Sequence, residues 1–497
     1  MNLPKIFGKY GFHLLILLFF LTRLTNLHSL PIFNDEAIYI DWANKIRMGY
    51  VPIFYSLYDG KPPLHFLLIS LFLFIIKNPL LAGRLVSVVA GLFTLIGIKK
   101  ISEIILKNKW VYLPSILYIF SPLFLFYDRQ ALQEPILTAL FSWFLYFLLV
   151  YMKSFKLRNA VFLSVLFSLM FMVKVSSLVF IFPLSILYIL SFFRYRERIN
   201  DLILALLFFI IIFCIIQIPM ISQERFTLLF SRNDRYAYSF GDLNFGILEL
   251  LISNFIKSAK FIIWDFNILI PVLFLSLFTK KYFISKNMLI LLLLLLPIPL
   301  VIILSKNASE RYLEPFLTPL IFFAAIGFIR LYEKIGKVIF ILIFIPIMIC
   351  IYQIFAIDGY LLFVNRYVKD LGLNSYIGGF TSGYGVRDAL DFLKNESEKY
   401  DLMYVGVRVD AGNPESAVMA YFLGGENAKV KPMYFDSSYQ KLPLTSDFVG
   451  YRFPFYFISR DDNLAGMNEY LIEVKRFYKP DNKSFVGVYK FIGYENY

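Results

Sequence analysis

Apolar residues in this chain run in blocks rather than alternating. Blocks of about 20 residues, the length a helix needs to cross a bilayer, recur from residue 12 to residue 357 with short polar loops between them. They predict spans near 12–30, 80–98, 110–126, 133–151, 159–175, 177–193, 201–220, 261–279, 287–304, 312–329 and 338–357. The expected fold class is therefore a polytopic α-helical membrane protein with eleven to thirteen transmembrane helices. The first block lacks a small-residue cleavage site, so it reads as a retained span and not a removed signal.

Charge assigns sides to these spans. With the N-terminus in the cytosol, the basic clusters Lys99–Lys109, Lys153–Arg158, Arg194–Arg198, Lys280–Lys286 and Arg330–Lys337 all fall on one side, as the positive-inside rule requires. Residues 64–77 are apolar, but as a helix they rise only about 21 Å. Counting them as a span would invert every later loop, so they are expected to lie in the outer interface. Two long segments, 31–79 and 221–260, are then external.

The pattern changes near Asp358. A helix-like stretch (Val386–Asn395) and strand-like ones (Met403–Val409, Phe455–Ile458, Phe485–Phe491) follow, with turn residues between them. The division expected is a membrane domain over 1–357 and an extracytoplasmic soluble α/β domain over 358–497.

Composition narrows the function classes. The 497 residues are 59% hydrophobic and 19% aromatic, with a mean hydropathy of +0.67. The net charge of +14 lies mostly in short loops, so it reports membrane topology and not a nucleic-acid partner. Cys214 and Cys350 both sit in apolar runs and offer no disulfide or metal framework.

Charges near a bilayer cost on the order of 3 kcal/mol or more, so those that persist usually face a cavity. Several gather at the outer ends of the spans. They are Asp35 and Glu36 after the first, Lys61 before Pro62-Pro63, Arg84 in the second, and Asp128, Arg129 and Glu134 between the third and fourth. Lys174 lies between the fifth and sixth, and Glu310, Arg311 and Tyr312 open the tenth. Carboxylates beside cations at headgroup depth suit a phosphate-bearing lipid plus a group that must lose a proton. Plainer readings stand for each residue. Arg84, Lys174 and Arg311 also suit snorkelling anchors or structural ion pairs, and Asp35-Glu36 suits the first turn of a helix.

These same residues resemble the polyprenyl-phosphate-sugar-dependent glycosyltransferases of the membrane C-type (GT-C) fold, in the branch of protein O-mannosyltransferases and lipid A aminoarabinose transferases. The resemblance rests on Asn34-Asp35-Glu36-Ala37-Ile38-Tyr39 with Ala43 and Gly49, Lys61-Pro62-Pro63-Leu64, Arg84-Leu85 with Gly91, and Arg129-x4-Glu134. Arg311-Tyr312 with Pro315, and Gly383-Tyr384-Gly385, match more weakly. In the aminoarabinose branch the acidic pair precedes Thr-Arg and the lysine follows Glu, whereas this chain has Ala37-Ile38 and Gly60. Trp264-Asp265 stands alone, unlike the Trp-Trp-Asp signature of oligosaccharyltransferases, which argues against bulk N-glycan transfer.

The resemblance implies an inverting transfer of a sugar from a polyprenyl-phosphate donor to a hydroxyl of a protein, lipid or glycan, on the outer face of the cell membrane. It implies Asp35 as general base, with Glu36 orienting the acceptor or supporting the base. Lys61, Arg84, Lys174 and Arg311 would bind the donor phosphate. Tyr39 and Tyr312 would line the substrate pocket, and Arg129 and Glu134 would brace it. With cations available for the leaving group, no metal or other cofactor is expected. The competing class is a transporter or lipid-linked-sugar flippase, whose usual inverted repeats are not visible here.

Overall fold

The computed structural model describes residues 3–106, 108–232, 238, 247–266, 285–306, 309–367, 373–424, 429–435 and 453–492. In chain order the first helices are α1 (Leu3–Leu24), α2 (Asn34–Arg47), α3 (Leu64–Leu73), α4 (Pro79–Ile105), α5 (Leu113–Ile119), α6 (Pro122–Tyr127) and α7 (Gln133–Ser154). There follow α8 (Leu157–Val173), α9 (Ile181–Arg194), α10 (Ile199–Ile221), the one-turn α11 (Leu228–Ser231), α12 (Leu248–Phe266), α13 (Lys286–Leu293) and α14 (Pro297–Leu304). The last are α15 (Glu314–Ile335), α16 (Ile341–Phe355), α17 (Ile357–Tyr367), α18 (Asn374–Ile377), α19 (Val386–Ser397) and α20 (Glu415–Phe422). The strands are β1 (Met403–Arg408), β2 (Val430–Phe435), β3 (Phe455–Ser459), β4 (Leu471–Tyr478) and β5 (Phe485–Phe491).

Among the described residues, five helical stretches are long and apolar enough to cross a membrane: Pro79–Ile105, Gln133–Ser154, Val175–Arg194, Arg196–Ile221 and Arg311–Phe355. Tyr10–Leu24, Leu64–Leu73, Leu157–Val173 and Lys286–Val301 are shorter apolar helices. The chain is a multi-pass membrane protein. Two expectations change. The run 110–126 is not one span but α5 and α6, because Pro122 has no N–H to continue a helix and Ser121 caps the new start, its Oγ accepting the Phe124 N–H at 3.4 Å. The segment 221–260, expected outside the membrane, is not a plain loop but contains α11 and the start of α12. There Lys257 and Lys260 dilute the hydropathy of a sequence whose apolar positions still follow the helical period. Most of the expected span 261–279 lies outside the described residues.

The chain forms two compact units. The helical unit comprises Met1–Thr25, Ser56–His65 and Ser87–Ala356. In it α7 packs on α8 and α15, and α8 on α10. Phe180 ties this bundle together, stacking on Phe141 at 4.4 Å and meeting Phe316 at 5.0 Å.

The sheet unit comprises Asn26–Tyr55, Phe66–Val86 and Ile357–Tyr497. Most of the loop that the sequence reading placed in the membrane domain thus packs with the C-terminal residues. The sheet order is β2-β1-β3-β5-β4. β1 is parallel to β2 and β3, and β5 is antiparallel to β3 and β4. Phe435, Phe455, Phe457, Met467 and Phe491 fill one face. α20 packs on β1, β2 and α2, which draws the acidic helix into this unit.

Candidate active site

The acidic triplet opens α2 in the sheet unit, and the sequence around it explains why. Phe33 is extended (φ −74°, ψ 155°) and ends the preceding loop. Glu36 reaches back, its Oε2 accepting the Phe33 N–H at 3.0 Å, the carboxylate half of a capping box. Asn34 donates its N–H to the Thr381 carbonyl and accepts the Asn413 N–H on Oδ1, at 3.0 and 2.9 Å. The Asn413 side chain in turn donates to the Ile32 carbonyl at 3.0 Å. Two glycines permit this approach. A Cβ on Gly383 would strike the Ile32 backbone, and one on Gly412 would strike the Asn34 side chain.

Glu36 and Arg84 form a fully buried ion pair, with Arg84 Nε and Nη2 donating to the two carboxylate oxygens at 2.9 and 2.8 Å. Arg84 Nη1 donates to the Leu27 and Leu30 carbonyls at 2.7 and 2.9 Å, and Nη2 to Pro31 at 3.3 Å. All five guanidinium N–H donors are therefore engaged. The geometry corrects two expectations. Arg84 has no donor left for a phosphate, and Glu36 holds the start of α2 instead of meeting an acceptor. Asp35, one residue earlier, is the partly exposed member of the pair. Tyr39, expected in a sugar pocket, is buried edge-on against Phe66 at 5.2 Å.

The helical unit holds most of the remaining residues. Lys174 ends α8 with extended backbone (φ −156°, ψ 128°), which frees its side chain from the helix surface. Gln133 ties the start of α7 to the end of α8, its Nε2 donating to the Val173 carbonyl at 2.8 Å. The neighbours of that bond then meet. Lys174 Nζ donates to Glu134 Oε1 at 2.6 Å, and Arg311 Nε lies 3.9 Å from the same oxygen. The Tyr312 ring stands under both cations, 4.4 Å from Lys174 and 5.3 Å from Arg311. Glu134 is buried at 4% exposure, whereas Lys174 and Arg311 are 19% and 21% exposed. One sheltered carboxylate thus holds two cations that still reach solvent.

Lys61 pairs with Asp59, which Arg232 also contacts at 3.2 Å, but this carboxylate is itself 32% exposed. Gly60 permits the turn at φ +69°, and a Cβ there would press on the Leu228 carbonyl oxygen at 2.8 Å. The Lys-Pro-Pro segment ends at His65, whose Nε2 lies 3.3 Å from the Ala131 carbonyl oxygen and so reaches the turn carrying Arg129 and Glu134. Arg129 braces that turn by donating to the Thr25 carbonyl at 2.7 Å.

Three acids were given no site role by the sequence: Asp128, Glu314 and Asp41. Asp128, one of the charges at the outer ends of the spans, does not face bulk water. It is buried and accepts from Arg23 Nε and Nη2 and from the Tyr118 hydroxyl, at 3.1, 3.0 and 2.8 Å. Gly91 gives this carboxylate room, since a Cβ there would come within 2.9 Å of it. Glu314, fully buried at the head of α15, accepts from Thr138 at 3.3 Å. In the sheet unit the buried Asp41 accepts from Lys45 at 2.7 Å, and Lys45 also donates to the Tyr434 hydroxyl at 3.0 Å. Burial pushes the Asp41 carboxyl up to about 6 despite the lysine. A cation in the last turn of α1 and a Glu-Pro opening α15 were the available signals for Arg23 and Glu314. Among the described residues no group of three or more His, Cys, Asp or Glu side chains could hold a metal.

Comparison with known proteins supports the architecture. Residues 60–221 match the family model for dolichyl-phosphate-mannose-protein mannosyltransferase. No curated protein matches the chain in sequence. In structure it resembles ArnT from Cupriavidus metallidurans bound to undecaprenyl phosphate, at a TM-score of 0.58 and 11% identity over 97% of this chain and 98% of that one. It also resembles the apo oligosaccharyltransferase of Archaeoglobus fulgidus, at 0.55 and 11% over 92% and 70% of the two chains. The archaeal oligosaccharyltransferase AglB from Archaeoglobus fulgidus, in complex with an inhibitory peptide and a dolichol-phosphate, matches at 0.53 and 11% over 84% and 63%. The chain has the C-type membrane glycosyltransferase fold.

Proposed function

We propose that this protein is a membrane glycosyltransferase that moves a sugar from a polyprenyl-phosphate donor to an acceptor hydroxyl on the non-cytosolic face of the cell membrane. The fold shared over 97% of this chain with ArnT bound to undecaprenyl phosphate, and over 84% with the oligosaccharyltransferase AglB in complex with a dolichol-phosphate, favours transfer over transport. The observation that carries the reading is the Glu134 centre. One buried carboxylate, matched by Lys174 and Arg311, leaves an excess of exposed positive charge of the kind that holds a phosphate.

In the reaction Asp35 accepts the proton of the acceptor hydroxyl as its oxygen attacks the anomeric carbon. The bond from that carbon to the phosphate oxygen breaks with its electron pair, and the configuration inverts. Polyprenyl phosphate leaves without needing a proton, because Lys174, Arg311 and Lys61 stabilise its charge. Those cations supply what a metal would otherwise provide, so the reading includes no metal. Glu36 and Arg84 act as positioning residues that seat Asp35.

The test is transfer by the full chain reconstituted with polyprenyl-phosphate sugars. Asp35→Asn is expected to lower kcat by about 10²-fold or more with the fold intact. Wild-type rates in that variant would remove Asp35 as the base.

A further inference from the structure

A further concentration of positive charge lies in the sheet unit. A cavity of about 240 Å³ opens beside Lys77–Leu80, where α4 begins. Pro31, Leu80, Leu390 and Phe422 contribute apolar walls, and Lys77, Arg387 and Lys394 border it with a single acid, Asp391. The other clustered cations have carboxylate partners: Arg84 has Glu36, Lys61 has Asp59 and Lys174 has Glu134. Among the described residues Lys77, Arg387 and Lys394 form no ion pair. Arg387 donates to the Ser29 carbonyl at 3.0 Å, which fixes its guanidinium at the cavity wall. Lys77 and Lys394 are exposed.

Three cations against one carboxylate leave a surplus of two charges around a concavity, and an anion relieves their mutual repulsion. Asn78 adds to the field. Its Oδ1 accepts the Leu81 N–H at 2.9 Å, capping a 27-residue helix whose N-terminal end is itself positive. α4 is long and apolar enough to cross a membrane, which would set its end at the depth of lipid headgroups.

We propose that this cavity binds a phosphate ester at the membrane surface, with the phosphate held by Lys77, Arg387 and Lys394 and its organic part against Pro31, Leu80 and Phe422. An anionic phospholipid and a soluble phosphate share that chemistry, and the experiment separates them. The inference is independent of the transfer reaction, because its readout is binding.

The purified full chain is equilibrated in nanodiscs of mixed phosphatidylglycerol and phosphatidylcholine, and retained lipid is counted by native mass spectrometry. In parallel, inorganic phosphate is titrated while the melting temperature is followed. The variant is Lys77→Glu with Lys394→Glu, two exposed positions, and its melting temperature in phosphatidylcholine alone checks the fold. The wild type is expected to retain phosphatidylglycerol in preference to phosphatidylcholine, less so as salt rises. The double variant is expected to lose about tenfold or more of that preference, while Arg387→Lys keeps part of it. Stabilisation by inorganic phosphate that the double variant lacks would also support the site and assign it a soluble ester. Equal retention of the two lipids, with no response to phosphate, would overturn the proposal. So would a folded double variant that behaves as the wild type.

Discussion

Arg84→Met separates two roles that the sequence alone leaves superimposed. If Arg84 grips the donor phosphate, its loss weakens donor binding and little else. The structure instead surrounds it with Glu36 and the carbonyls of Leu27, Leu30 and Pro31, all protein groups. Removing one partner of a buried ion pair costs about 3–5 kcal/mol, because the other charge stays buried alone. That corresponds to a shift of roughly two to four orders of magnitude in the local equilibrium holding the start of α2. Hydrogen exchange read by mass spectrometry over residues 27–40 is therefore expected to accelerate strongly in Arg84→Met. The double variant Glu36→Leu/Arg84→Met is expected to recover much of the protection, since no orphaned charge remains. Transfer activity should fall chiefly in kcat, because Asp35 loses its seat. An Arg84→Met protein with unchanged exchange over these residues and a raised KM for the donor would refute the assignment and restore Arg84 as a phosphate ligand.

Two further outcomes follow from the geometry. Arg311→Ala is expected to raise the donor KM about tenfold with little change in melting temperature, since Glu134 keeps its bond to Lys174, and steady-state kinetics beside a thermal melt check both parts. Asp41 has a folded-state value of about 6 against an ordinary 3.8, so the folded chain binds the extra proton between about pH 4 and pH 6. Stability of the sheet unit therefore declines by about 3 kcal/mol as pH rises through that window. Asp41→Asn is expected to flatten the decline, as measured by hydrogen exchange over α2 and β2 at matched pH.

What could be read in advance depended on whether the signal was local. Run length was enough to place most of the long apolar helices, because crossing a bilayer is a constraint on contiguous residues. The break between α5 and α6 was local too, in Ser121-Pro122, but it sat inside an apolar run that reads as one block. β5 was legible from its apolar pattern. β2 was not, because Pro432 argues against a strand, and the sheet tolerates it there because β2 lies on an edge.

The site residues were picked out by type and position, but their partners were not. Glu36 with Arg84, Glu134 with Lys174 and Arg23 with Asp128 are joined only by the fold. In sequence a cation awaiting a phosphate and one already committed to a carboxylate look alike. Asp41 was missed for a related reason. Asp41 and Lys45, one helical turn apart, resemble an exposed surface pair, and the packing of α20 and β2 that buries Asp41 comes from residues far along the chain.

The seam at Gly383 and Gly412 bears on how this architecture can be recombined. Those positions tolerate only hydrogen where the loop before α2 passes, so the C-terminal part is not a cassette to be exchanged at residue 357. A chimera that imports a relative's C-terminal half without its own stretch from Leu27 to Asn34 would meet a mismatched surface there and lose the setting of its acidic residue. Breakpoints that move both pieces together should yield working hybrids.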